Sequence, residues 1–195
     1  MYIEIIGVIF SLLYLFLEIR QKRIMWIVGF IASSFYIYIF FDSKFYADMG
    51  LNVYYVFASV YGWILWGKRT KTNEIPKITR LFSRQKAEGG RLIFLLLLTA
   101  SLLIGLLTFI LWNYTDTPVP VGNAITAALS IVATWMLAKK ILEQWWVWLF
   151  VNLLSIALFL WRGLYPTALL FCCYAVASVI GYYTWKRMMG GTGNE

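Results

Sequence analysis

The chain alternates between long apolar runs and short polar interruptions that are mostly basic. A helix needs roughly 17–25 residues to cross a hydrocarbon slab of about 30 Å. Seven runs have that length: Ile3–Ile19, Ile24–Phe41, Tyr46–Trp66, Leu92–Trp112, Val119–Ala138, Trp145–Trp161 and Leu164–Trp185. Lipid offers the backbone no hydrogen-bond partners, so such runs must be helical, whereas a barrel would show short alternating strands. The first run begins Met-Tyr-Ile-Glu with no cationic leader, which separates it from a cleaved signal peptide. The predicted fold class is an all-α integral membrane protein with seven transmembrane helices.

With seven spans the connections alternate sides. One side then receives Arg20, Lys22, Arg23, the basic residues from Lys68 to Arg91, Lys139, Lys140, Lys186 and Arg187. The other receives only Lys44 and Arg162. Basic residues stay cytoplasmic, so the amino terminus is expected outside and the carboxyl terminus inside.

A shift of 119 positions pairs Tyr46 with Tyr165, Leu51 with Leu170, Tyr55 with Tyr174, Ala58-Ser59-Val60 with Ala177-Ser178-Val179, Gly62 with Gly181 and Trp66 with Trp185. The same shift pairs Ser11 with Ser130, Trp26 with Trp145 and Phe40 with Phe159. Spans one to three therefore match spans five to seven, and span four belongs to neither. An odd unit repeated directly would come out inverted. One extra helix restores its direction, giving a parallel 3+1+3 repeat as in sugar-facilitator folds of the SWEET type, N-out and C-in. The expected segments are 1–67 (first three-helix repeat), 68–117 (basic cytoplasmic loop plus linker helix), 118–187 (second repeat, its start marked by Pro118 and Pro120) and 188–195 (flexible tail). Duplicated bundles of this kind place a substrate site between the copies near the midplane, which describes a transporter.

Composition narrows the chemistry. Apolar residues make up 62% of the 195, charged residues 13% and aromatics 19%. A soluble globule could not hide that much apolar surface. Histidine is absent, which removes imidazole catalysis and histidine–metal sites. No Gly-x-x-x-x-Gly-Lys-Ser/Thr loop occurs, and the acids stand singly near helix ends, so neither nucleotide hydrolysis nor an intramembrane enzyme is expected. No cofactor or metal is expected either. The net charge of +8 follows from the basic connections. Lys68–Arg91 holds one aromatic, Phe82, and so reads as a solvated connector that touches anionic lipid, with no nucleic-acid partner.

Candidate binding residues lie on two stripes. Asp48, Asn52, Tyr55, Ser59 and Gly62 share one face of span three. Its counterpart in span seven runs Thr167, Phe171, Tyr174, Ser178, Gly181. Span six adds Trp145, Trp148 and Asn152 at i, i+3 and i+7. Amides at mid-membrane are costly in lipid and point to a cavity or another helix. Asp48 would favour a cationic solute, or simply complement a helix N-terminus. Each feature also has a packing explanation. Ser59, Ser178, Gly62 and Gly181 suit close helix approach; Trp26, Trp66, Trp145 and Trp185 suit an interfacial belt; Cys172 and Cys173 suit apolar filling.

The run Lys44-Phe45-Tyr46-Ala47-Asp48 through Tyr61-Gly62-Trp63-Ile64-Leu65-Trp66, the segment Glu143-Gln144-Trp145-Trp146-Val147-Trp148 followed by Asn152, and Arg162-Gly163-Leu164-Tyr165 with Thr167-Ala168-Leu169 together resemble the PnuC family of bacterial vitamin transporters. The resemblance covers nearly the whole chain. It implies seven helices as 3+1+3, a homotrimer in the bacterial inner membrane, and facilitated uptake of nicotinamide riboside trapped by a cytoplasmic vitamin kinase. It also implies that Trp145, Trp148, Asn152 and Asn52 lie near the substrate, joined on the stripe argument by Tyr55, Asp48 and Tyr174. The family's glutamine is Asn52 here, and its second glutamine is Leu65. Relatives carry thiamine or riboflavin, and Asp48 beside a shortened amide would suit thiamine.

Overall fold

The computed structural model describes residues 12–42, 46–67, 78–81 and 86–191. A helical stretch over 12–19 (α1) is followed by α2 (Met25–Asp42), α3 (Tyr46–Gly67), α4 (Lys86–Tyr114), α5 (Pro120–Ala138), α6 (Gln144–Trp161) and α7 (Tyr165–Gly191). Among the described residues there is no strand beyond an isolated bridge between Thr79 and Ile141. Four helical segments among the described residues are long and apolar enough to span a membrane: Glu88–Tyr114, Pro120–Ala138, Gln144–Trp161 and Tyr165–Met189. The chain forms two compact units, residues 1–77 and 78–195.

In the first unit α2 packs on α3, and in the second α4 packs on α5, α5 on α6 and α6 on α7. Pro120 stands in the first turn of α5, where its fixed φ suits the helix and its missing N–H is no loss. Small residues, Ala124, Ala128 and Ala133, are fully buried along α5 and let its neighbours approach closely. Half of the α5 span is buried, against 6% of the α4 span. Leu97, Leu102 and Phe109 accordingly point outward from α4.

Two turns 119 positions apart share one backbone geometry. α1 ends at a turn in which the Gln21 N–H donates to Glu18 O (2.9 Å) and the Lys22 N–H to Leu17 O (2.9 Å). α5 ends at a turn in which the Lys140 N–H donates to Leu137 O (2.9 Å) and the Ile141 N–H to Met136 O (3.0 Å). Both are Schellman closures, which require a left-handed residue just past the helix. Gln21 (φ 51°) and Lys140 (φ 53°) supply it without glycine, at a cost of about 1–2 kcal/mol each. α6 ends the same way at Gly163 (φ 73°), where glycine carries no such cost.

The connector is not wholly solvated, as its composition had suggested. The Thr79 N–H donates to Lys140 O (3.0 Å), Thr79 O accepts from the Leu142 N–H (2.9 Å), and the Leu81 N–H donates to Glu143 Oε2 (3.1 Å). Leu81 is buried in a cluster with Ala100, Val132, Met136 and Ile141. A composition reading averages over the connector and misses one leucine placed to fill a gap. The same turn buries Lys140, and loss of solvent lowers its ammonium to about 8 from the ordinary 10.5. Deprotonation is then easier in the fold than in the unfolded chain. Stability should therefore rise as pH climbs through the window from about 8 to 10.5 and stay flat below it. Lys140→Met should remove that slope from melting curves recorded across this range. An unchanged slope would contradict the assignment.

Candidate functional site

Helix α6 presents Trp145, Trp148 and Asn152, and α7 presents Tyr174, Ser178, Gly181 and Trp185. Trp145 (1% exposed) meets Trp185 (0%) edge to face, centroids 5.6 Å apart at 87°. A methyl group on Gly181 would stand 2.5 Å from Trp145 Cη2, so the indole lies directly on that glycine. The first unit repeats the arrangement. Trp26 and Trp66 meet at 5.6 Å and 90°, and a methyl group on Gly62 would stand 2.3 Å from Trp26 Cε2. These four tryptophans are core residues rather than an interfacial belt. The sequence placed them at helix ends, but the turns at Gln21 and Lys140 fold those ends back onto α3 and α7.

Asn152 is buried at 5% exposure and donates from Nδ2 to Ser178 Oγ at 3.2 Å. Ser178, itself 2% exposed, donates its hydroxyl hydrogen to Tyr174 O at 2.8 Å. The structure thus joins Asn152, Ser178 and the Tyr174 backbone into one chain of hydrogen bonds. Trp148 is half-buried, with its Nε1 enclosed and without a hydrogen-bond partner. The Tyr174 ring packs on Phe171 at 5.4 Å.

In the first unit Asn52 and Tyr55 are half-buried on α3, with the Tyr55 ring 5.7 Å from that of Tyr54. The Asp48 side chain lies outside the described residues. Ser33 is buried where the second unit has Asn152, and Gly29 stands where it has Trp148. A methyl group on Gly29 would meet Tyr14 at 3.1 Å and Ser59 Oγ at 3.2 Å. At these two matched positions the amide and the indole occur only in the second unit. A recess of about 510 Å³ opens near the α4–α5 connection, lined by Leu111, Trp112, Pro118, Val119 and Leu158 among others. It includes none of the predicted binding residues. Among the described residues no cluster of three cysteine or acidic side chains could hold a metal ion.

Two contacts escaped the sequence reading. Ser178 stands on the span-seven stripe, but nothing local names its partner in α6, although its place four residues after Tyr174 permits the bond to the Tyr174 carbonyl. Arg23 lies 3.7 Å from the centre of the Trp63 ring and donates from Nε to Trp63 O at 2.9 Å. No periodicity in one helix signals a partner 40 residues away.

A profile of the nicotinamide mononucleotide transporter family matches residues 1–187. The chain belongs to that family. Among similar proteins, the nicotinamide riboside transporter PnuC of Neisseria mucosa is 27% identical over 87% of this chain and 66% of its own length. The protein of that name from Escherichia coli is 25% identical over 94% of this chain and 84% of its own length. The crystal structure of the vitamin B3 transporter PnuC superposes with a TM-score of 0.70 at 23% identity, covering 94% of this chain and 80% of that one. That likeness shows the fold. Family membership and the long apolar helices make the chain a multi-pass transporter of the inner membrane, not an enzyme.

Proposed function

We propose that the chain takes up nicotinamide riboside by facilitated diffusion, with phosphorylation by a cytoplasmic vitamin kinase trapping the solute. The observation that carries this reading is the buried Asn152 amide, held by Ser178 one turn from Trp148 on α6. An aromatic face attracts a desolvated flat cation such as pyridinium by about 2 kcal/mol. An amide can meet a ribose hydroxyl or a carboxamide. Trp145 is enclosed by Gly181 and Trp185, so its part is to hold the packing of α6 on α7. Trp148, Asn152 and Tyr174 are the contacts proposed in the second unit; Asn52, Tyr55 and Asp48 are the candidates in the first.

The family description names the mononucleotide and the curated relatives the riboside. Helices α2, α3, α5 and α6 contain no lysine or arginine. A phosphate dianion would find no cationic partner there, which favours the riboside. The absence of buried acidic or basic runs from α5 and α6 supports passive movement over ion-driven pumping. The test is labelled uptake into empty liposomes, comparing nicotinamide riboside, its mononucleotide, thiamine and riboflavin. Nicotinamide riboside should equilibrate fastest without a gradient. Accumulation against its gradient, or preference for thiamine or the mononucleotide, would overturn the reading.

We also infer a parallel 3+1+3 arrangement with segments 1–67, 68–117, 118–187 and 188–195, N-out and C-in. Its support is the matched pair of Schellman turns, the matched tryptophan–glycine contacts and the one-sided basic connections. Tags at the two termini should label from opposite faces of the membrane; labelling from one face refutes it. The homotrimer stands on the resemblance, which the outward apolar face of α4 accommodates.

A further inference from the structure

Ser178 Oγ sits between two partners, Tyr174 O at 2.8 Å and Asn152 Nδ2 at 3.2 Å. A hydroxyl has one hydrogen. With that hydrogen on the Tyr174 carbonyl, Oγ can only accept from α6. The Asn152 amide must therefore turn its NH₂ toward α7, and because the group is planar its Oδ1 turns away. An isolated amide could flip and offer either end to a solute. A flip here would set Oδ1 against Ser178 Oγ, which could answer it only by withdrawing its hydrogen from the Tyr174 carbonyl.

We propose that Ser178 is a positioning residue that presents Asn152 Oδ1 to the substrate, so that the site selects a solute with a hydrogen-bond donor at that point. This rests on the reading above that Asn152 touches the substrate. The carboxamide of nicotinamide riboside offers such a donor. The riboside of nicotinic acid offers only a carboxylate, whose oxygens would face Oδ1 with no hydrogen between them. A site built to pair with a donor discriminates strongly against an analogue that lacks it, because buried groups are left unmatched. The first unit has serine at the matching position, Ser33, so the selection resides in the second.

The experiment measures inhibition of labelled nicotinamide riboside uptake in proteoliposomes by the unlabelled riboside and by its nicotinic acid counterpart. The ratio of the two inhibition constants does not depend on how much folded protein each preparation holds. The wild type should prefer the carboxamide by about tenfold or more, the worth of one buried hydrogen bond. Ser178→Ala should bring the ratio close to one, since the freed amide can turn Nδ2 to a carboxylate. Ser178→Thr, which keeps the hydroxyl, should hold the wild-type ratio. The positioning role is overturned if the wild type does not discriminate, if Ser178→Ala keeps the wild-type ratio, or if Ser178→Thr loses it as alanine does. Asn152→Ala separates the two levels. Unchanged riboside uptake in that variant sinks the site itself, whereas lost uptake with an unaltered Ser178→Ala ratio sinks only the role of Ser178.

Discussion

Alanine at Asn152 is expected to lower nicotinamide riboside uptake at subsaturating concentration by about 10- to 100-fold, the value of a hydrogen bond made in a desolvated site. The fold should survive this change. Ser178 keeps its bond to Tyr174 O, so no buried donor is orphaned, and the loss of one amide–hydroxyl bond costs about 1 kcal/mol. Trp148→Ala should lower uptake comparably, because it removes the aromatic face offered to a planar cation. Trp148→Phe, which restores a ring, should recover part of it. Uptake in proteoliposomes, with monodispersity on size exclusion as the control for assembly, reads both. Two alanine variants that transport at the wild-type rate would remove Trp148 and Asn152 from the site.

The largest effect on stability is expected at Gly181. A Cβ there would stand 2.5–2.6 Å from three atoms of the Trp145 ring. That indole is also wedged against Trp185, so it cannot swing aside at low cost. Overpacking of this kind costs about 1–3 kcal/mol, and Gly181→Ala should lower the melting temperature in detergent by several degrees. Gly62→Ala should do the same against Trp26 in the first unit, where the approach is 2.3 Å. Gly105 is the contrasting case. Nothing lies within 4 Å of a Cβ at that position in α4, and alanine should stabilise the helix by up to about 1 kcal/mol. The mechanism has a further check: in a Trp145→Leu background, Gly181→Ala should cost markedly less, giving a coupling energy in a double-mutant cycle. Additive effects would show that the clash is not the cause.

Much of the helical plan was open to sequence reading because lipid imposes one rule on backbone polar groups and one length on the segments that obey it. The predicted spans Val119–Ala138 and Trp145–Trp161 differ from α5 and α6 by one residue at their first positions only. The linker span grew from Leu92–Trp112 to Lys86–Tyr114, since a helix with a charged first turn does not stop where hydropathy stops. The candidate site was legible in part. Asn152 stood out because an amide within an apolar run demands a partner, yet nothing local named Ser178 as that partner, 26 residues away.

The sequence by itself determined the apolar segments, the gathering of basic residues between them and the register of 119, because each depends only on residue type and spacing along the chain. Tertiary structure alone decided that Gln21 and Lys140 are the left-handed turn residues, that four end-of-helix tryptophans are core, that Leu81 docks beside the α5–α6 turn, and which way the Asn152 amide faces. These outcomes depend on which atoms from distant positions compete for the same space or the same hydrogen. A hydroxyl with one proton and a glycine with no side chain acquire their roles only when a neighbour from another helix arrives.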